Sequence, residues 1–360
     1  MSDAFFSVSF SDARGRFLAA CLKAGARVTS YDHPLRGPQG EALATDVAWL
    51  GDPSARRVLV VGSGTHGVEG FSGSGIQVGL LAGPDAPRPP PGTALLLVHA
   101  LNPYGFAWIR RVNEDNVDLN RNFVDHAAGA WPENPGYADL ADALVPRRWD
   151  AASLAASEAT FAAFVRDNGE DAFRRTVKSG QHTHPDGVFY GGRAPTWSSR
   201  LVERICREHL ADATHLALID VHTGLGPYGY GETLTSVHRG TPEEARARRW
   251  YGEDLASTVA PKTAYSGSKG SIIVGCTEGA PWAEWTPIGL EFGTIAPDEV
   301  RLAVRADGWL HLYGEIDSPE GRRIKKALRD AFYPDDTVWR GKVWARGAEI
   351  VAKGLAGLAG

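Results

Sequence analysis

Residues 56–103 alternate in a way that few folds accommodate. RRVLVVG is an apolar, β-branched run; GSGTHGVEG follows it; a small-residue helical stretch runs from Phe71 to Leu81; and a second apolar run, ALLLVHALNP, is stopped by Pro103. Runs this apolar, without a polar alternate position, belong to strands covered on both faces. Strand, glycine loop, helix and strand at this spacing is the βαβ unit of a mainly parallel sheet. The pattern returns as HLALIDVH, ETLTSVH and PIGLEFGT, with helical periodicity over Glu243–Ser257 and Asp298–Tyr313. Upstream, the spacing predicts a helix from Ala13 to Ala24, stopped by Gly25, and then strand-like VTSY and DVAWL. PDAPRPPPG reads as a stiff surface connector.

Between the two blocks the text changes. Residues 124–192 hold Pro, Gly and Trp clusters around one Ala-rich helix, Ala151 to Arg166, and read as an insertion or lid on a single domain spanning 1–360. Two more helical patterns close the chain, and there are no internal repeats. The dense basic run Arg322-Arg323-Ile324-Lys325-Lys326 lies in a helical pattern and is expected to be a solvated face.

Several function classes fall away on composition. A formal charge of −5 gives no general drive toward nucleic acid or anionic membrane. No stretch nears the ~18 uninterrupted apolar residues of a membrane span. MSDAFFSVSF lacks the cationic start and apolar core of a signal peptide. Cys21, Cys206 and Cys276 are odd in number and far apart, which argues against a disulfide framework and for a reducing, cytoplasmic setting.

The glycine loop carries two motifs at once. Gly62-Ser63-Gly64-Thr65-His66-Gly67 fits the dinucleotide fingerprint G-x-G-x-x-G. However, ALLLVHALN offers no carboxylate for a ribose, and Glu69 would repel a diphosphate. Read as His66-x-x-Glu69, the same turn brings an imidazole and a carboxylate toward one point, a pairing that suits Zn²⁺. The loop also follows a buried strand, at the sheet edge where open α/β sheets bind ligands. A third ligand is needed, and His222, at the end of LALIDVH and before glycines, is the best offer. Asp220, two residues earlier on the same sheet face, could orient a ligand from behind. His99 reads as a core histidine, while His182 and His184 in GQHTHPDG read as pocket lining or surface loop.

Residues 102–123, NPYGFAWIRRVNEDNVDLNRNF, are unusually polar for a segment directly after a buried strand. Arg111, Asn120 and Arg121 make a carboxylate-binding set, because a guanidinium presents a planar fork that a carboxylate fills. Equally, the arginines could simply pair with Glu114, Asp115 and Asp118 on the surface. Taken alone, the stretch leaves both readings open.

HGVEG, NPYGFA, an arginine, DLNRNF, a strand bearing His222 and a strand bearing Glu291 in GLEFGT resemble, in order and spacing, the zinc carboxypeptidase superfamily. That superfamily includes the aspartoacylases and succinylglutamate desuccinylases. With SGTHGVEGFSGSGIQ and GQHTHPDGVFYGG added, the chain more closely resembles a bacterial branch catalogued as a domain of unknown function. The resemblance implies a three-layer α/β/α sandwich with a mixed, mostly parallel central sheet, and one zinc per chain held by His66, Glu69 and His222. It implies that Glu291 is the general base and acid and that Arg111, with Arg110 as its rival, polarises the scissile carbonyl. Asn120 and Arg121 would clamp a substrate carboxylate. The phenol that carboxypeptidases place over the substrate has two candidates, Tyr265 and Tyr190. The expected activity is hydrolysis of an amide in a small molecule or short peptide bearing a free carboxylate. The alternatives are esterase or lactonase action at the same site, or a non-catalytic binding protein on this scaffold.

Overall fold

The computed structural model describes residues 2–258 and 269–360. The first long helix, α1 (Phe10–Ala24), starts three residues before the predicted Ala13 because the Ser9 side chain accepts the Asp12 N–H and caps it; Gly25, at φ 70°, ends it. Strands β1 (Arg27–Arg36) and β2 (Ala42–Gly51) follow, longer than VTSY and DVAWL. The βαβ unit comes next as β3 (Arg57–Gly62), α2 (Gly70–Ala82) and β4 (Thr93–His99), followed by short α3 (Pro103–Ala107). Residues 124–192, expected to be an insertion, hold α4 (Ala141–Leu144), α5 (Ala151–Asn168) and α6 (Glu170–Lys178), and α7 (Trp197–His209) follows. Thus the insertion carries more than the one Ala-rich helix expected: Gly169, at φ 87°, breaks the backbone between α5 and α6.

The second block is β5 (His215–Tyr228), β6 (Gly231–Thr235), α8 (Pro242–Tyr251), β7 (Ala256–Ser257), α9 (Ile272–Gly279) and β8 (Glu284–Gly293). The helix predicted over Glu243–Ser257 stops at Tyr251, because Gly252 takes φ 115° and the chain turns into β7 beside β6. Three helices finish the chain: α10 (Pro297–Tyr313), α11 (Pro319–Phe332) and α12 (Thr337–Ala359).

Among the described residues, eight strands form one sheet in the order β1-β2-β4-β3-β5-β8-β6-β7. Its middle, β4-β3-β5-β8, is parallel, and the β1–β2, β2–β4 and β6–β8 pairings are antiparallel. The parallel strands therefore end together at one edge. Side-chain alternation sends Leu59, Val61, Ile219, Val221 and Leu290 to a face covered by α1, α2, α8 and α12. It sends Val58, Val60, Leu216 and Leu218 to the opposite face, under α7 and α9. This is the expected three-layer sandwich around a mixed sheet.

The insertion packs a small core of its own from Tyr137, Leu144, Phe161, Phe173 and Val177. Buried Arg305 of α10 ties it down by donating to the carbonyls of Leu144 and Ala143 at 3.0 and 2.9 Å. The basic run on α11 departs from expectation: Arg322, Arg323 and Lys326 face solvent, but Ile324 and Lys325 are buried. Cys21, Cys206 and Cys276 are buried free thiols. Among the described residues no helix is long and apolar enough to cross a membrane.

Candidate active site

The loop leaving β3 can make its turn only because of its glycines. A side chain at Gly67 would overlap the backbone of Gly105 and Phe106, so this loop and α3 touch backbone to backbone. Two hydrogen bonds strap it further, from Gly67 N to Arg111 O at 3.1 Å and from Val68 N to Arg110 O at 2.8 Å. His66 opens the tight turn Gly67–Glu69 and Glu69 closes it, bringing both side chains inward. His66 Nδ1 stands 2.9 Å from Glu69 Oε1. The other oxygen, Oε2, is 2.9 Å from Nδ1 of His222 and accepts the Thr223 N–H at 3.1 Å. One ligand atom from each of His66, Glu69 and His222 lies within 4.8 Å of the others, and all three residues are buried.

The far nitrogens of the two imidazoles each face a carboxylate. His66 Nε2 is 3.1 Å from Asp118 Oδ1 and 2.8 Å from Arg111 Nη2, and His222 Nε2 is 2.5 Å from Asp220 Oδ2. Asp220 is fixed in turn by the Thr65 hydroxyl at 2.8 Å. Two imidazoles and a carboxylate form a donor set suited to zinc, and carboxylates behind the imidazoles are the usual means of orienting such ligands. The residues fit the ion.

Buried charges here support one another. Against the cost of burial, His66 and His222 hold Glu69 below the usual carboxylate range. Arg111, His66 and Arg121 do the same for Asp118, again against burial. Burial opposes a charge on His222 too, but Asp220 and Glu69 raise it well above an ordinary imidazole. Glu291 goes the other way: burial, and then the charge of Glu69, push it up to about 7. Its Oε1 accepts the Leu225 N–H at 2.9 Å. His222 lies inside β5, not at its end as expected, but regular pairing with β8 stops two residues later at Gly224.

The cleft above these groups is lined by Arg111, Asn120, Arg121, Lys178 and Phe189, with apolar walls including Ile272, Val300 and Phe332. Arg111 reaches Asp118 Oδ2 at 3.0 Å and Glu69 Oε1 at 3.1 Å. Arg110 turns away to Asp307 at 3.2 Å and does not line the cleft. Asn120 Oδ1 accepts the Ile272 N–H at 2.9 Å, and its amide nitrogen is 3.3 Å from His222 Nε2. Buried Arg121 donates to the carbonyls of Asn120 and Lys178 at 2.9 and 2.6 Å, and its buried Nε–H has no partner among the described residues. Tyr190 is not a lining residue; its neighbour Phe189, held at φ 55°, takes that place, its ring 5.4 Å from the Arg111 guanidinium and 5.9 Å from that of Arg121. Tyr265 lies outside the described residues. His182 binds the Gly192 carbonyl at 2.6 Å and neither it nor His184 lines the cleft. His99 is buried in the core, stacked on Phe17 at 4.4 Å.

Sequence reasoning missed Asp118 as a ligand-orienting group, as well as Phe189 and Lys178. Asp118 had a signal: it stands two residues before Asn120, within the same DLNRN phrase. Phe189 and Lys178 had none, because their placement depends on how the insertion folds back over the sheet.

The family described as "Protein of unknown function (DUF2817)" matches residues 6–346. No curated protein matches. Solved structures do match. Carboxypeptidase A from Helicoverpa armigera is 13% identical with a TM-score of 0.44, over 90% of this chain and 74% of that one. The succinylglutamate desuccinylase from Chromobacterium violaceum is 15% identical with a TM-score of 0.36, over 89% and 74%. The murein-tripeptide amidase from Escherichia coli O157 is 16% identical with a TM-score of 0.36, over 86% and 93%.

Proposed function

We propose that this chain, which belongs to the DUF2817 family, is a zinc-dependent hydrolase cleaving a peptide or N-acyl amide in a small substrate with a free carboxylate. The observation that carries the reading is the buried His66–Glu69–His222 cluster at the carboxyl edge of a parallel sheet, with Glu291 one strand away from His222. These three residues would hold the ion, oriented by Asp118 and Asp220. Zinc in such a site supplies Lewis acidity and makes water nucleophilic near neutral pH.

The remaining chemistry belongs to side chains of this chain. Glu291, whose Oε1 accepts the Leu225 N–H, takes a proton from the attacking water and passes it to the leaving nitrogen. Arg111, at the cleft floor, meets the negative charge that develops on the carbonyl oxygen. Asn120 and Arg121, which both line the cleft, bind the substrate carboxylate. Residues 124–192 act as the roof of a single hydrolase unit, contributing Lys178 and Phe189 to the cleft wall.

The test combines metal analysis with a panel of N-acyl amino acids and dipeptides. The expected result is about one zinc per chain, as the three-ligand site requires, and hydrolysis that chelation abolishes and zinc restores. A His66→Ala protein that kept full zinc and full activity would overturn the assignment.

A further inference from the structure

Behind Arg111 lies a buried ion network that the reaction above does not use. Lys325, in the middle of the basic run on α11, turns inward. Its Nζ donates to Asp307 Oδ1 at 2.5 Å and to the Ile109 carbonyl at 3.2 Å, and stands 2.7 Å from His311 Nε2. The second oxygen of Asp307, on α10, accepts Arg110 Nε at 3.2 Å, and Arg110 Nη2 continues to Asn116 Oδ1 at 3.1 Å. Lys325, Asp307 and Arg110 are 8%, 4% and 4% exposed. Burial pushes the Lys325 ammonium down to about 8, with Asp307 opposing the fall. Burying two cations and one carboxylate is expensive, and hydrophobic residues would fill the same space as well.

The backbone indicates what the network holds. Ile109 sits at φ 49° and Asn116 at φ 60°. For a β-branched residue this is a strained conformation that persists only where its surroundings enforce it. The network grips that strain from both sides: Lys325 binds the carbonyl of Ile109, and Arg110 binds the side chain of Asn116. Between these grips the chain sends Arg110 back into the network and Arg111 forward to Glu69 and Asp118. The carbonyls of the same two arginines accept the N–H groups of Val68 and Gly67, which lie within the metal-ligand turn between His66 and Glu69.

We propose that Lys325 and Asp307 are positioning residues for Arg111: they lock the strained turn at Ile109 so that the Arg111 guanidinium is presented to the cleft. The proposal rests on the role given to Arg111 above, and its test separates the two. Misplacement of such a group by about 1 Å can cost ~100-fold in rate. Lys325→Met should therefore lower kcat/KM about tenfold or more, chiefly in kcat and with zinc content unchanged, and Lys325→Arg should recover most of the loss. In an Arg111→Met background the Lys325→Met change should cost nothing further, because its effect passes through Arg111. Independently of activity, hydrogen exchange at the amides of residues 66–69 should quicken about tenfold in Lys325→Met while β3 and β4 stay protected. If Lys325→Met does not accumulate as folded protein, Asp307→Asn carries the same expectations. An undiminished loss in the Arg111→Met background, or unchanged exchange with activity within twofold of the parent, would overturn the proposal. If Arg111→Met alone loses no activity, the role of Arg111 fails, and the exchange measurement still decides whether Lys325 holds the turn.

Discussion

His222 and Glu291 are register partners on the adjacent parallel strands β5 and β8, so both side chains rise from one face of the sheet at its carboxyl edge. The proposed ligand and the proposed base are thereby set by one strand pairing, while His66 and Glu69 come from the loop after β3. An ion bound among them would tie that loop to the sheet.

Zinc should therefore be a structural staple as well as a reagent. Free zinc at ~100 times its Kd adds about 2.7 kcal/mol to the stability of a fold that alone can bind it. Calorimetric scans with and without chelator should show a lower Tm for the stripped protein. His66→Ala and His222→Ala should lose the difference. Identical transitions in the parent, with and without metal, would count against the site.

Asp118 and Asp220 should matter in different ways. Each holds the far nitrogen of one imidazole, and loss of such a partner costs ~10–100-fold in metal affinity. Asp220→Asn should stop there. Asp118→Asn also removes the acceptor of Arg111 Nε, so its kcat should fall even at saturating zinc. Competition against a chromophoric chelator gives the affinities. Equal kcat values for the two variants would contradict the distinction.

What could be read in advance follows from how local each signal is. VLVVG and ALLLVHALN announce buried strands because every position is covered, and His66 and Glu69 announce themselves because one tight turn joins them. Which of Arg110 and Arg111 faces the cleft was not legible, since it is decided by the left-handed backbone at Ile109 and by an acid on α10. Lys325 looked solvated for the same reason: its partner Asp307 belongs to a different helix. The helix α6, after the Ala-rich one, was hidden by its density of charge, and its Lys178 reaches the cleft only through tertiary folding.

Two of the chain's glycines sit in opposite surroundings that substitution can tell apart. Gly67 packs its α-carbon against the backbone of Gly105 and Phe106, which cannot give way, so Gly67→Ala should cost about 3 kcal/mol or more and loosen the metal turn. Gly15, on the exposed side of α1, has nothing within 4 Å of an added methyl. Gly15→Ala should stabilise by ~0.5–1 kcal/mol through helix propensity. Urea titration of both variants gives the comparison, and a harmless Gly67→Ala would mean that α3 does not press on the loop.

Glu291→Gln should keep its zinc and lose turnover by about 100-fold or more, the usual share of a general acid and base. The same variant also has a signature without any metal. In the fold Glu291 titrates near 7, against ~4.3 for a glutamate in the unfolded chain. The metal-free fold therefore favours the protonated carboxyl. That contribution is complete below ~4.3 and is lost as pH rises through 7, on the order of 3–4 kcal/mol. A glutamine is neutral throughout, so the chelator-treated variant should gain stability relative to its parent between pH 5 and pH 8. Urea unfolding of both proteins at the two pH values measures this change. A stability difference that stays constant would show that Glu291 is not held in the desolvated, anion-flanked position from which its role as base was argued.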